Sequence, residues 1–335
     1  MAGIDIHTHF VPESFPAVPG ARPDLAWPSM QHECGHAHVM ISGKRYRTVP
    51  GTSWDAGPRG AEMDAMRISR QVLSPMPELL SYWLPAADAQ VLVRHLNDSL
   101  ATMVSQHPQR FLGLGAVPLQ DLDRAIAELE YVVGTLGLSG VEIATHVNGC
   151  SIGDPRFAPF FAAAEKLGAA VFVHALRPAG KERLVGPAAL EQVVAFPGDV
   201  GLAIASMMTG GSLEAHPDLR IAFSHSGGAF AMMLPRLQHG WQTAPEIKAC
   251  MSASPREVAR RLYVDTLAYD ADALGLVLKS FGSERVMIGT DYPFRVRDPD
   301  PHATLDALGL DTVTRSALQE GNAERFLNLP RRTDR

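Results

Sequence analysis

Short runs of Val, Ile, Leu and Ala recur along the chain, and longer segments with a different period separate them. Continuous apolar runs of this length are typical of parallel strands that are buried on both faces. Eight such runs are present, at 4–9, 70–74, 110–117, 140–144, 170–174, 220–224, 261–265 and 286–290. The pattern therefore predicts eight buried strands.

The segments between these runs have the pattern of amphipathic helices. In 87–106 the apolar residues follow the helix period, and the pattern stops before Pro108. Segment 121–134 begins with a capping Asp and ends at Gly. The same behaviour recurs at 157–167, 229–240, 270–281 and 312–327. Because eight strands alternate with helices, we predict an α/β fold, a closed (β/α)₈ TIM barrel rather than an open sheet.

Segment 12–58 interrupts this alternation between the first and second strands. It is rich in Pro, Gly and polar residues, and it is too long for a simple loop in a compact domain. Within it, the letters HVMISGKRYRTV predict a hairpin with SGK as its turn. We expect a single domain over 1–335, with 12–58 as an inserted cap.

Charge and composition narrow the possible partners and the compartment. The net charge is −6 and no long Lys/Arg run occurs, which argues against nucleic acid and anionic membrane as partners. The first residues, MAGIDIHTHF, lack a signal-peptide pattern, and the apolar stretch LGAAVFVHAL is too short to span a bilayer. Cys34, Cys150 and Cys250 lie far apart and are odd in number, unlike a disulfide framework. We expect a cytoplasmic protein.

Four residues of metal-ligand type stand where predicted strands end. They are His7 and His9 in IDIHTH, His174 in VFVHAL and Asp291 in MIGTDYPF. Catalytic groups of a barrel come from the C-terminal ends of its strands, and two histidines two residues apart on a strand point the same way. One HxH alone indicates little. Its recurrence with ligands at other strand ends predicts one divalent ion per chain, Zn²⁺ first and another divalent metal second.

His225 in IAFSHSGG ends a further strand. Zn²⁺ would lower the pKa of a bound water to about 7, and a neutral His225 could take and return that proton as general base and then acid. Alternatively, His225 is a further ligand. We favour the base, because four protein ligands nearly fill a Zn²⁺ shell. The glycines of SGG are expected to give the backbone room beside the metal.

Other candidates are less specific. Arg47 in KRYRTV and Arg236 in LPRLQHGW could bind a substrate carboxylate, because guanidinium matches carboxylate bidentately; an arbitrary Arg is more often a solvated surface residue. In HECGHAH, Cys34, His36 and His38 form a second candidate metal cluster. Because no partner cluster accompanies it, we interpret it as a polar loop.

The chain resembles the aminocarboxymuconate semialdehyde decarboxylases and their relatives in the amidohydrolase superfamily. The similar stretches run almost end to end: IDIHTHFVPE, WDAGPRGAEMD, SYW, HPQRFLGLGAVPLQ, GVEIATHVNG, FVHALRP, HPDLRIAFSHSGGAF, MIGTDYPF and GNAERFL. The resemblance implies a (β/α)₈ barrel with a small inserted cap and one Zn²⁺. Binuclear members carry a bridging lysine on the fourth strand; this chain has GVEIATH there, which favours a single ion.

The resemblance also implies roles for individual residues. The implied ligands are His7, His9, His174 and Asp291. His225 would be catalytic, together with the ligand Asp291. Arg47 and, from the neighbouring subunit, Arg236 would bind substrate, which implies a homodimer. Phe294 in DYPF would pack against the substrate.

The chain departs from the family pattern directly after the third ligand histidine. The decarboxylases usually read Pro-Trp-Asp there, and the Trp lines the substrate pocket. Here the residues are Ala175, Leu176 and Arg177. A large aromatic side chain is lost, and Arg177 either recognises another carboxylate or phenolate or points to solvent. The metal chemistry is expected to remain, whereas the substrate stays open.

Together these features predict a zinc-dependent, non-oxidative decarboxylase of an unsaturated or aromatic carboxylic acid, acting in aromatic catabolism. A carboxymuconate semialdehyde from ring cleavage is the leading substrate class. Two routes stay open, addition of a metal hydroxide to the conjugated system and direct loss of CO₂ from bound substrate. The alternative function is a hydrolase of a lactone or amide, or a hydratase, at the same site. A non-catalytic metal-binding barrel would lack a ligand or the base, and here neither is missing.

Overall fold

The computed structural model describes residues 3–20, 22 and 24–330. Eight parallel strands form one sheet in chain order: Gly3–Phe10, Ile68–Pro75, Phe111–Gly115, Gly140–Ala144, Ala170–His174, Arg220–Phe223, Tyr263–Asp265 and Val286–Met287. The sheet closes on itself, because Thr8 lies beside Tyr292 in a parallel bridge and the Ile6 N–H donates to the Ile288 carbonyl at 2.9 Å. The predicted TIM barrel is confirmed.

Helices surround the barrel. The longer ones are Ala56–Ala65, Ala86–Gln106, Leu122–Glu130, Ala158–Leu167, Phe196–Thr209, Phe230–Thr243 and Ala271–Phe281. Shorter ones are Ser212–Ala215, Pro245–Lys248, Pro255–Ala259, Pro301–Ala307, Thr312–Ser316 and Asn322–Phe326. Several begin at a capping aspartate; the side chain of Asp121, for example, accepts from the Arg124 N–H at 3.1 Å.

Two of the longer helices were not predicted from the sequence. Ala56–Ala65 begins within segment 12–58, and its Gly57, Pro58 and Gly60 conceal the helical pattern. Phe196–Thr209 begins with Pro and Gly and is apolar on more than one face. With the wider turn that precedes it, this helix forms Glu191–Thr209, which by length and composition alone could cross a membrane, with a mean hydropathy of 1.2. One face of this helix nevertheless packs against the rest of the protein, and Ile204 on that face is fully buried.

Segment 12–58 contains a three-stranded antiparallel sheet, the cap sheet, with strands Pro28–Glu33, His36–Ile41 and Lys44–Pro50. The last two are the predicted hairpin. Its turn residues Ser42 and Gly43 both have positive φ, 51° and 71°, as a two-residue hairpin turn requires. One face of the cap sheet packs onto the barrel through buried Val39 and Val49, in a cluster that also contains Phe294. The cap sheet therefore lies against the loop that follows the eighth strand.

Candidate metal centre and active site

Four side chains converge at the C-terminal end of the barrel. His7 and His9 project from the first strand, His174 ends the fifth, and Asp291 lies in the loop after the eighth. All four are buried. One ligand atom from each, a ring nitrogen or a carboxylate oxygen, lies within 4.8 Å of all the others. The structure thus brings the four predicted ligands into one cluster.

Two of the ring nitrogens that face this cluster lack a hydrogen-bond partner. His7 Nε2 and His174 Nε2 are buried without a hydrogen bond, whereas their Nδ1 atoms contact Asp265 Oδ2 and the Ala175 carbonyl, both at 2.8 Å. The Asp291 carboxylate lies 3.0 Å from His9 Nε2 and 3.6 Å from His7 Nε2. Unsatisfied buried nitrogens are costly. Their convergence on a carboxylate fits a divalent metal ion, and three imidazoles with one carboxylate suit Zn²⁺ or a similar ion.

The protonation states also fit a cation. Burial lowers the pKa of His9 to about 4 and holds the pKa of His174 well below its usual range. Burial favours the neutral form of Asp291, but contact with His9 and the charge of His7 outweigh it and lower its pKa to about 2. For His7, burial is outweighed by the contact with Asp265, which raises its pKa to about 9. The negative Asp291 and the neutral His9 and His174 are donors for a divalent cation, and a cation bound there would displace the proton of His7.

Asp265, the last residue of the seventh strand, positions His7 and His225. Its Oδ2 accepts from His7 Nδ1 at 2.8 Å and from the His225 N–H at 2.9 Å, and its Oδ1 accepts from the Ser226 N–H at 2.6 Å and the Leu267 N–H at 3.0 Å. Burial would raise the pKa of Asp265, yet the contact with His7 keeps it below its ordinary value. Sequence reasoning missed this residue, although it ends a predicted strand as the ligands do.

His225 lies beside the four-ligand cluster and outside it. Its ring centroid is 4.8 Å from that of His174 and 5.2 Å from that of His7. His225 and Ser226 both have left-handed backbones, with φ of 53° and 58°, and Asp265 accepts from both of their N–H groups. Burial lowers the pKa of His225 to about 4. A neutral imidazole beside a complete ligand set favours the base over the additional ligand, and the role stays a prediction.

The glycines after His225 make room for a helix. A Cβ on Gly228 would lie 2.1 Å from the Pro197 carbonyl oxygen, and one on Gly227 would lie 2.8 Å from the Phe281 ring. Gly227 and Gly228 thus make room for side chains and backbone of neighbouring helices and not for the ligand cluster. The glycine that faces the centre is Gly289, where a Cβ would lie 2.9 Å from the Cβ of His7 and 2.6 Å from that of Asp265. The expectation that SGG makes room beside the metal therefore applies instead to Gly289.

A cavity of about 590 Å³ opens above the cluster, a volume typical of small-molecule sites. His174, His225 and Asp291 line it together with Arg47 and Phe294. The Phe294 ring stacks on His9 with centroids 4.8 Å apart, and the Arg47 guanidinium carbon is 4.2 Å from the same ring. The cap sheet thus places a cation directly beside the ligand cluster.

The other two predicted arginines are elsewhere. The Arg177 guanidinium donates to Glu78 Oε1 at 2.6 and 3.1 Å and lies 3.2 Å from the Trp83 ring centroid. Glu78 lines the main cavity, whereas Arg177 lines a neighbouring pocket. Arg236 is exposed on Phe230–Thr243 and does not line the cavity of its own chain.

Two further buried residues lie beside the first strand: Arg59 contacts its backbone, and Glu142 Oε2 lies 4.0 Å from the Nδ1 of His9. Arg59 is fully buried and donates to the His9 carbonyl at 3.0 Å, to Thr8 Oγ1 at 2.9 Å and to the Gln71 side chain at 2.7 Å. Glu142 accepts from the Ser74 hydroxyl at 2.5 Å, and burial raises its pKa to about 8. No periodicity marks Arg59 in a single sequence, although it lies in the family-like stretch WDAGPRGAEMD.

Comparison with known proteins agrees with this geometry. The amidohydrolase family profile matches residues 4–329. The chain is 36% identical to 2-amino-3-carboxymuconate-6-semialdehyde decarboxylase of Dictyostelium discoideum, over 97% of this chain and 91% of that protein. It is 28% identical to a gamma-resorcylate decarboxylase of Rhodococcus jostii, over 84% and 93% of the two chains.

A solved structure extends the likeness to three dimensions. The 5-carboxyvanillate decarboxylase of Novosphingobium aromaticivorans, crystallised with bound manganese and 3-methoxy-4-hydroxy-5-nitrobenzoic acid, superposes with a TM-score of 0.72. It is 25% identical over 82% of this chain and 81% of the other. The resemblance found in the sequence is confirmed, and the chain belongs to the amidohydrolase family, among relatives that are metal-dependent decarboxylases.

Proposed function

We propose that this chain is a metal-dependent decarboxylase that removes CO₂, without oxidation, from an aromatic or unsaturated carboxylic acid. The observation that carries the proposal is the shared cavity: His174 and Asp291 of the four-ligand cluster, His225 and Arg47 all line it. Relatives that act as decarboxylases support the same reaction class. The cavity is mainly apolar apart from these groups, as a flat conjugated acid requires.

His7, His9, His174 and Asp291 would hold the ion. Bound there, a divalent metal supplies positive charge that polarises the substrate as a Lewis acid. We propose Zn²⁺, because three histidines and one carboxylate are ligands it commonly takes. Mn²⁺ is the alternative, since a relative contains it.

The side chains around the cluster have separate tasks. Arg47 binds a substrate carboxylate and orients the conjugated plane against Phe294. His225, neutral and held by Asp265 through its backbone, would take a proton from water as a base and then pass it as an acid to the carbon that loses CO₂. The electrons of the broken bond pass into the conjugated system of the substrate. Apolar side chains that line the cavity, such as Leu176, exclude water from it.

The leading substrate is a carboxymuconate semialdehyde, as for the Dictyostelium relative; hydroxybenzoates are the next class, as for the resorcylate decarboxylase. We also propose a homodimer in which Arg236 completes the partner's site. The exposed position of Arg236 on a helix with exposed Met232, a residue that lines the cavity mouth, supports this arrangement.

The test is CO₂ release by zinc-loaded and manganese-loaded protein from a panel of carboxymuconate semialdehydes, hydroxybenzoates and lactones. We expect CO₂ from a member of the first two classes. His174→Ala should lose metal and activity together, while His225→Ala should keep metal and lose most turnover. If a lactone is consumed with uptake of water and without release of CO₂, the chain is a hydrolase and the decarboxylase proposal is wrong.

A further inference from the structure

A second group of ligand-type side chains lies in the cap sheet, outside the barrel centre. His36 Nε2 is 3.2 Å from Glu33 Oε2, and His38 Nε2 is 3.0 Å from Glu33 Oε1. One ligand atom from each of the three residues lies within 4.8 Å of the other two. We call these residues the cap cluster. Sequence reasoning noticed the two histidines but grouped them with Cys34 instead of Glu33.

The hairpin geometry explains why these three residues meet. His36 and His38 are two residues apart on strand His36–Ile41, so both project from one face of the sheet. Glu33 pairs with His36 across the tight turn, in which Gly35 has a φ of 79°. Ala37, between the histidines, points to the opposite face and is fully buried. The first barrel strand presents His7 and His9 by the same alternation.

One histidine of the cap cluster is already oriented. His38 is only 3% exposed, and its Nδ1 lies 2.9 Å from the Thr48 hydroxyl on the next strand. That contact directs Nε2 towards Glu33. Metal-binding histidines are typically fixed in this way, by a hydrogen bond from the ring nitrogen that does not bind the ion.

We propose that Glu33, His36 and His38 form a second, exchangeable site for a borderline divalent ion such as Zn²⁺. Two imidazoles and a carboxylate are sufficient ligands for an open zinc site, with water in the remaining position. Each Glu33 oxygen faces one Nε2, so the contacts need either protons on both rings or a cation among the three groups. Glu33 and His36 are 43% and 39% exposed, which gives the ion access from solvent and makes the site weaker than the barrel centre.

The competing explanation is an ion-pair network without metal. Half-exposed pairs of this kind stabilise a protein only weakly, so this explanation predicts little change in stability from their loss. The two explanations differ in metal content. A network binds no ion, whereas the proposed site adds a second ion to each chain at micromolar free zinc.

The test is the zinc content of the full chain after dialysis against buffered micromolar Zn²⁺, measured by mass spectrometry of the metal. We expect two ions per chain in the native protein and one in Glu33→Gln and in His36→Gln. Both positions are partly exposed, so these variants should fold, and thermal unfolding checks that they do. His32→Gln is the matched control, because His32 lies on the same sheet, is paired with Ala37 on the other face, and contacts the Glu13 carbonyl instead. It should keep both ions.

A calorimetric titration separates the two centres. In His174→Ala, which weakens the barrel centre, Zn²⁺ should still bind with a micromolar Kd, and adding Glu33→Gln should weaken that binding at least tenfold. Equal zinc content in the native protein and Glu33→Gln, or an unchanged Kd after Glu33→Gln, would overturn the proposal. Neither result depends on decarboxylation, so the cap cluster and the proposed function are tested separately.

Discussion

Asp265→Asn tests whether the barrel centre depends on a residue that is not itself a predicted ligand but accepts a hydrogen bond from one, His7. Each carboxylate oxygen accepts two N–H groups, one oxygen from His7 and His225, the other from Ser226 and Leu267. An asparagine has only one oxygen. Whichever way the amide turns, its NH₂ group faces two N–H donors, and those two lose their acceptor.

The magnitude follows from that count. A buried hydrogen bond to a charged group is worth about 1.5–3 kcal/mol, so two lost bonds should lower the free energy of unfolding by about 3–6 kcal/mol. When the NH₂ group takes the Oδ2 position, His7 is one of the two donors that lose their acceptor, and its Nε2 is no longer held towards the cluster. Replacing such a partner typically weakens metal binding about 10–100-fold, or by about 1.4–2.7 kcal/mol.

Asp5→Asn is the matched control. Asp5 is also fully buried near His7, but it accepts from the His7 backbone N–H, from the Thr290 N–H and hydroxyl and, at 3.4 Å, from the Gln71 side chain, and none of these donors is an imidazole. Burial raises its pKa to about 7, so a neutral amide is a mild change, and the Thr290 hydroxyl can accept from it. Metal affinity from competition with a zinc chelator, and urea unfolding, should both fall in Asp265→Asn. Equal metal affinity in the two variants would refute the positioning role of Asp265.

Three further outcomes follow from the geometry. Arg47→Gln should lower kcat/KM about 10–100-fold, mainly through KM, because a charge-assisted hydrogen bond to the substrate is lost. Arg47→Lys keeps the charge and should lose less. If steady-state kinetics show no change in Arg47→Gln, Arg47 is only a surface residue. Arg59→Met should lower the free energy of unfolding by about 3–5 kcal/mol, since it leaves the His9 carbonyl and the Gln71 side chain without their donor. A midpoint of urea unfolding equal to that of the native protein would contradict this. Chelation of the metal should lower Tm, and excess Zn²⁺ should restore it by mass action, whereas a Tm indifferent to the ion would argue against a filled barrel centre.

The barrel and its ligands were predictable because both depend on short-range patterns. A buried parallel strand is a continuous apolar run, and every strand end of a barrel faces the same side. Ligand-type residues at those ends therefore had to meet, as His7, His174 and Asp291 do. The pattern of apolar residues did not predict the helix Phe196–Thr209, because an apolar helix with Pro and Gly in its first turn has no clear amphipathic period.

Residues that act on other residues were not predictable in this way. Asp265 and Arg59 are identified only by their partners. The partners His225 and His7 lie 40 and 258 positions from Asp265, and His9, whose carbonyl Arg59 contacts, lies 50 positions from Arg59. The cap cluster shows the same limit at short range. The motif HECGHAH contains both Glu33 and Cys34, and only the pairing of Glu33 with His36 across the hairpin decides which of them joins the histidines.

The departure from the family pattern after His174 acts on the shape of the cavity more than on its charge. Arg177 was a candidate for recognising a second anionic group, yet its guanidinium pairs with Glu78, which lines the cavity, and packs on Trp83. A cation and an anion added at the same place leave no net charge for a substrate to meet. Leu176, by contrast, lines the cavity itself in place of a large aromatic side chain. Among the described residues that line the pocket, Arg47 is the one Lys or Arg, and the partner's Arg236 would add to it in the proposed homodimer. We expect the space beside Leu176 to select among carboxylic acids by their bulk.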